Sequence, residues 1–142
     1  MTSKAKRYTG GCLCGALRYV ADGATPMCGY CCCEDCRKAS GSGFIGFMGF
    51  PADALTFTGQ SKTYACTSAR GGEAVRNFCE VCGGLVFGGI VGKDASHTIY
   101  AGSLDDHAQF QPTIAIFTRS RPDWVILPPG LVEFEGMPGE AG

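Results

Sequence analysis

Cys79-Glu80-Val81-Cys82-Gly83-Gly84 is the stretch that decides how this chain is built. Two residues between the cysteines let both sulfurs point inward from one tight turn. The glycine that follows can take positive φ and aim backbone N–H groups at the sulfurs. One such knuckle supplies half of a tetrahedral metal site, so the other half must come from elsewhere. Cys12-Leu13-Cys14-Gly15 is the first partner to weigh, because residues i and i+2 of an extended segment face the same way. Joining the two pairs closes 64 intervening residues, at a length-dependent cost of about 4 kcal/mol. A structural zinc supplies roughly 10–16 kcal/mol at neutral pH and outweighs that cost. The competing pairing is Cys33-x-x-Cys36 with Cys79-x-x-Cys82. Its gap of 42 residues exceeds the roughly 15–20 of an ordinary zinc ribbon, which ranks it second.

The rest of the composition agrees with metal. Ten cysteines stand among 142 residues, and most are bunched one or two apart. Disulfide frameworks spread cysteines along a chain, because distant cross-links constrain the unfolded state most; metal ligands must instead converge on a point. Residues 1–10 carry positive charge with no apolar stretch behind them. No secretory leader is therefore expected, and a reducing cytoplasm is the expected location. Soft thiols with no histidine beside them suit zinc or iron–sulfur, and the absence of a C-x-x-C-x-x-C run favours zinc. With 12 basic against 13 acidic residues the formal charge is −1, which argues against nucleic acid held by a general field. No apolar run approaches ~18 residues, so no membrane partner is expected.

Between the clusters the chain reads as strands at 16–21, 44–50, 55–58, 62–65, 74–78, 84–87, 98–101 and 113–118, punctuated by glycine turns. Only 33–39 reads as helix. The expected fold is mainly β with little helix. With no linker or repeat, 1–142 is expected to form one zinc-binding domain, its core about 8–138 and its tail after Pro138 frayed.

The middle cluster is the more informative. Cys31, Cys33 and Cys36 combine i, i+2 and i, i+3 spacings, so three sulfurs can converge where an extended segment turns into a helix. Three protein ligands and an open position describe a zinc that does chemistry. The plainer alternative is that Cys28, Cys32 or Cys66 closes the site and makes it structural. Arg37 and Lys38 follow the third ligand and can offset the sulfur charge or hold an anionic thiol; otherwise they form a solvated helix face. Arg70, Arg76 and Lys93 are weaker candidates. Asp105, Asp106 and His107 could move a proton or simply make a turn, and His97 is expected to be exposed at a strand edge. Phe44, Phe47, Phe50 and Trp124 could floor a pocket or belong to the core.

These motifs together carry a resemblance. Gly10-Gly-Cys-Leu-Cys-Gly-Ala-Leu-Arg-Tyr19, Cys31-x-Cys33-x-x-Cys36-Arg-Lys-x-x-Gly41, Phe78-Cys-x-x-Cys-Gly-Gly and Gly102-Ser-Leu-Asp-Asp106 resemble the glutathione-dependent formaldehyde-activating enzyme family. Phe110-Gln-Pro112 and Asp123-Trp124 are similar to it too. The resemblance implies an Mss4-like zinc-bound β-sheet assembly. It also implies two zincs per chain: a structural one on Cys12, Cys14, Cys79 and Cys82, and a catalytic one on Cys31, Cys33 and Cys36. The chain departs from the family pattern at Cys32, where members often carry His, and near Ala115, where many also carry His.

The expectation is a carbon–sulfur lyase. It would add a zinc-bound thiol such as glutathione to formaldehyde or a small aldehyde, as S-(hydroxymethyl)glutathione synthase does, or run the reverse. The rival is a non-catalytic zinc-binding module or thiol-adduct carrier that docks a protein partner. An exchangeable fourth position on the middle metal separates the two.

Overall fold

A computed structural model describes residues 6–23, 26–68 and 71–139 of the protein. Arg70, the first five residues and the tail from 140 lie outside the described residues. Among the described residues eleven strands and one α-helix follow in order: β1 (Arg7–Gly11), β2 (Arg18–Asp22), β3 (Met27–Cys31), α1 (Glu34–Ser40), β4 (Ile45–Pro51) and β5 (Leu55–Thr58). After them come β6 (Ser61–Thr67), β7 (Glu73–Cys79), β8 (Leu85–Gly88), β9 (Ser96–Tyr100), β10 (Ile114–Ile116) and β11 (Val132–Glu133). The fold is mainly β, as expected.

The strands form two sheets. One is a three-stranded antiparallel sheet in the order β1-β2-β5; the other has eight strands in the order β11-β10-β3-β4-β9-β8-β7-β6. Most neighbours in the larger sheet are antiparallel, but β10 runs parallel to both β3 and β11. The two sheets share one apolar core. Tyr8, Leu17, Tyr19 and Ala21 from the small sheet and its turn meet Met48, Phe50, Val86, Phe87 and Ile99 from the large one. A second apolar cluster, around Cys31, Cys33, Ile116 and Phe117, fills the corner between β3, α1 and β10.

Polar contacts lock the small sheet on. Asp105 accepts both guanidinium arms of Arg18, one at 2.9 Å, and the Thr9 hydroxyl at 2.8 Å. The Tyr19 hydroxyl meets Ser103 Oγ at 2.9 Å. Gly10 makes this docking feasible: a Cβ there would lie 2.3 Å from both the Ser103 carbonyl and the Tyr19 hydroxyl. Glycine is needed here for room, not for its backbone freedom.

Local rules explain the short helix. The Cys33 sulfur caps its N-terminus by accepting from the Cys36 N–H at 3.3 Å, and Gly41 closes the other end at φ 69°. Phe117 ends β10 two residues before the 113–118 expectation. It takes φ 54°, the one non-glycine residue with positive φ among those described, and buries its ring in the second cluster.

Candidate functional site

The Cys79 knuckle behaves as its spacing suggests. Gly83 has φ 74°, and the N–H groups of Val81 and Gly84 donate to the sulfurs of Cys79 and Cys82 at 3.3 and 3.4 Å. The Cys12 sulfur accepts from the Leu17 N–H at 3.2 Å. All four sulfurs, of Cys12, Cys14, Cys79 and Cys82, lie within 4.8 Å of one another. Cys14 Sγ sits 3.7 Å from Cys12 Sγ and 3.7 Å from Cys79 Sγ. A tetrahedron with zinc–sulfur bonds of about 2.3 Å has edges of about 3.8 Å, so the spacing fits that ion. Donor set, edge length and inward N–H groups agree. The pairing places Cys79 and Cys82 with the β1–β2 turn, not with Cys33 and Cys36 as the ribbon alternative would have it.

The sulfurs of Cys31, Cys33 and Cys36 form the second group, also within 4.8 Å of one another. Cys31 ends β3, Cys33 caps α1 and Cys36 sits in its first turn. Among the described residues no fourth His, Cys, Asp or Glu joins this group. Cys32 is fully buried behind its neighbours, with its N–H bonded to the Ile116 carbonyl at 3.0 Å. Cys28 belongs to the main core and points its thiol at the Pro26 carbonyl at 3.8 Å. Cys66 lies across Arg76 from Cys36. Three thiols in a buried corner cannot all ionise alone. Cys33 is the one held well below the ordinary thiol range, by hydrogen bonds from Cys31 and Cys36, while Cys31 is pushed up. A cation among them would let all three ionise, so the donor set fits a thiophilic metal.

A cleft of about 650 Å³ opens onto this group. Its walls include Ile45, Phe47, Arg76, Tyr100, Ile116 and Phe117. Arg76 comes from β7, the strand that also delivers Cys79. Neighbouring positions of a strand face opposite ways. Asn77 therefore turns into the core and bonds the Gly89 carbonyl at 2.7 Å, while Arg76 turns toward the three sulfurs. Its Nη2 donates to Cys36 Sγ at 3.8 Å and its Nη1 to Cys66 Sγ at 3.6 Å.

Other expected site residues lie elsewhere. Neither Arg37 nor Lys38 lines the cleft, and Lys38 is exposed and paired with Glu34 at 3.1 Å, one helical turn away. Of the weaker candidates Lys93, like Arg76, does line the cleft. Asp105 serves the sheet junction, and Asp106 caps the short turn at His107 by accepting from Ala108 N–H at 3.1 Å. His97 is not exposed, contrary to its edge reading. It is buried edge-on against Phe57 and Phe87, with Nδ1 3.1 Å from the Gly88 carbonyl. Phe47 lines the cleft, Phe50 is core, Phe44 packs against the Tyr30 ring, and Trp124 is largely exposed. Sequence reasoning missed Tyr100 altogether, and no local signal marks it.

Two sheets meeting at a four-sulfur corner, with a three-sulfur group lining a cleft, define a mainly β protein whose two cysteine groups could each hold a metal ion. Residues 7–120 match the family described as glutathione-dependent formaldehyde-activating enzyme, and the chain belongs to that family. No curated protein matches the chain. Membership makes the protein one of a family of enzymes. Among the described residues no helix is long and apolar enough to cross a membrane.

Proposed function

We propose that the protein is a zinc-dependent carbon–sulfur lyase, joining a small thiol of the glutathione type to formaldehyde or another small aldehyde and running the reverse. One observation carries the reading: three cysteine sulfurs converge at a cleft with no fourth protein ligand among the described residues. Family membership supports glutathione and formaldehyde as the reactants. In this reading Cys12, Cys14, Cys79 and Cys82 hold a structural zinc and Cys31, Cys33 and Cys36 a catalytic one. A zinc with three protein ligands supplies an open position at which a thiol is held deprotonated at neutral pH.

The chain does the rest. Phe47, Ile116 and Phe117 wall the sulfur corner with apolar surface, which strengthens electrostatic contacts inside it. The cleft has room for a thiol and an aldehyde together, and holding both converts a bimolecular encounter into an internal step. In the reaction the thiol sulfur bonds to the carbonyl carbon and the C=O π pair moves to oxygen. The thiol's proton leaves to water, and the oxygen takes one up. Cysteines gathered into two metal-ligand groups suit a reducing compartment, which supports a cytosolic setting. The unit that acts is the single domain with its core at about 8–138.

The test is exchange NMR on glutathione and formaldehyde with the two-zinc protein. Interconversion of free and adduct forms faster than in buffer is expected. A rate equal to buffer, with both zincs present, removes the lyase reading and leaves the docking module.

A further inference from the structure

Among the described residues Arg76 is the one Arg, Lys, Asp or Glu that the fold buries, and it lies beside the three sulfurs. It is 9 % exposed and lines the cleft. A guanidinium carries five N–H donors, and burying one without a counter-ion is costly. The structure shows acceptors for two of them, both thiols, at 3.6 and 3.8 Å. Its Nε is buried with no hydrogen-bond partner. Among the described residues the ion pairs are Arg7 with Asp22, Arg18 with Asp105 and Lys38 with Glu34, so no carboxylate lies within 4.0 Å of Arg76. Its nearest protein anions are the sulfurs themselves: around a divalent metal three thiolates would carry one net negative charge, and a bound thiolate or a developing alkoxide would add another. Such an arrangement belongs where negative charge arrives from a ligand or develops during a reaction.

Distance decides which negative charge. A thiol placed at the open side of the three sulfurs has Arg76 Nη2 within reach, since that nitrogen is already 3.8 Å from Cys36 Sγ. The carboxylates of a glutathione-type thiol stand several bonds from its sulfur. The oxygen of the aldehyde adduct is on the carbon directly bonded to sulfur. We propose that Arg76 is a catalytic residue of the lyase reaction on which this inference rests, donating to the aldehyde oxygen as it becomes an alkoxide. In the forward direction the S–C bond forms, the π pair passes to the oxygen facing the guanidinium, and water supplies the proton that completes the hydroxyl. In reverse the guanidinium steadies the same alkoxide until the C–S bond breaks. No oxidant or further co-reactant is needed.

Two measurements on the zinc-loaded protein test the assignment. Thioacetate carries sulfur and oxygen on one carbon, as the adduct does; ethanethiol lacks the oxygen. Arg76→Met should weaken thioacetate about 10-fold or more relative to ethanethiol, the scale of one hydrogen bond to a charged group. It should also lower kcat for thiol–aldehyde exchange about 100-fold with the thiol KM unchanged. Arg76→Lys should recover part of both losses. Unchanged thioacetate preference in Arg76→Met overturns the proposal. So does a raised thiol KM with unchanged kcat, which would mark a carboxylate anchor. Loss of the middle zinc in both variants also overturns it, assigning Arg76 to charge balance of the sulfurs. If the wild-type protein gives no rate acceleration yet loses its thioacetate preference in Arg76→Met, the lyase reading fails while the oxygen-donor role of Arg76 stands.

Discussion

The two sulfur groups use the same side chain for opposite ends. Cys12, Cys14, Cys79 and Cys82 join segments far apart in sequence, at the place where the small sheet meets the large one. Their outer surface is solvent: Leu13 is 92 % and Val81 73 % exposed at the tips of the two turns. Cys31, Cys33 and Cys36 span six residues of one strand-to-helix turn, sit deeper, and face a cleft. A ligand set drawn from distant segments closes on its ion and ties the fold. The set drawn from one turn has no fourth ligand from elsewhere among the described residues, so one side of it stays uncovered by protein donors. In the function proposed above, the structural and reactive roles would follow from how the ligands are distributed along the chain, not from ligand type.

The sharpest way to break this contrast is to cut each group once. Cys82→Ser should lose the first metal and unfold the protein, since a structural zinc contributes roughly 10–16 kcal/mol against a typical domain stability of about 5–15 kcal/mol. Circular dichroism and metal analysis would read it. Cys33→Ser should drop the metal count from two to one and bring exchange down to the buffer rate while the fold persists. Serine is itself a good helix cap, so α1 keeps its N-terminal hydrogen bond and the stability loss should stay near 1–2 kcal/mol. Equal destabilisation by the two substitutions would erase the division of labour.

A smaller effect probes the junction that holds the first group in place. The Arg18 guanidinium, with the Thr9 hydroxyl, holds the Asp105 carboxyl down at about 2. Because the folded value lies below the unfolded one, the contact stabilises above about pH 4 and is lost as pH falls toward 2. Both partners are partly exposed, so Asp105→Asn should cost under about 1 kcal/mol at pH 7. Its melting temperature should converge with the wild type near pH 2. A constant gap across that range would show that Asp105 acts through packing instead.

Eight strand segments and the helix could be read from alternation, β-branched residues and glycine punctuation. β1, β3 and β11 could not. Gly10 and Gly11 in β1 and Gly29 in β3 stand where an alternating apolar residue would signal a strand. Gly29 is required by what β3 packs against: a Cβ there would lie 2.7 Å from Ile114 and 2.8 Å from Phe47. β11 is two residues long and has no pattern to show. His97 was misread for a related reason. Its flanking residues are polar or small, and only the Phe57–Phe87 stack, 4.1 Å between ring centres, makes its position interior.

The amino-acid sequence alone determined which sulfurs can share an ion within each turn. Spacings of two and three residues set local geometry wherever the segment ends up, and the following glycines supply the backbone those turns need. Tertiary structure alone decided that the middle group opens on a cleft, that Cys28, Cys32 and Cys66 do not close it, and that the neighbouring cation is Arg76 while Arg37 and Lys38 stay off the cleft. Those facts depend on strand register and sheet order, which bring together residues forty positions apart. No short-range pattern encodes them, because the free energy that selects the register is spread over the whole core.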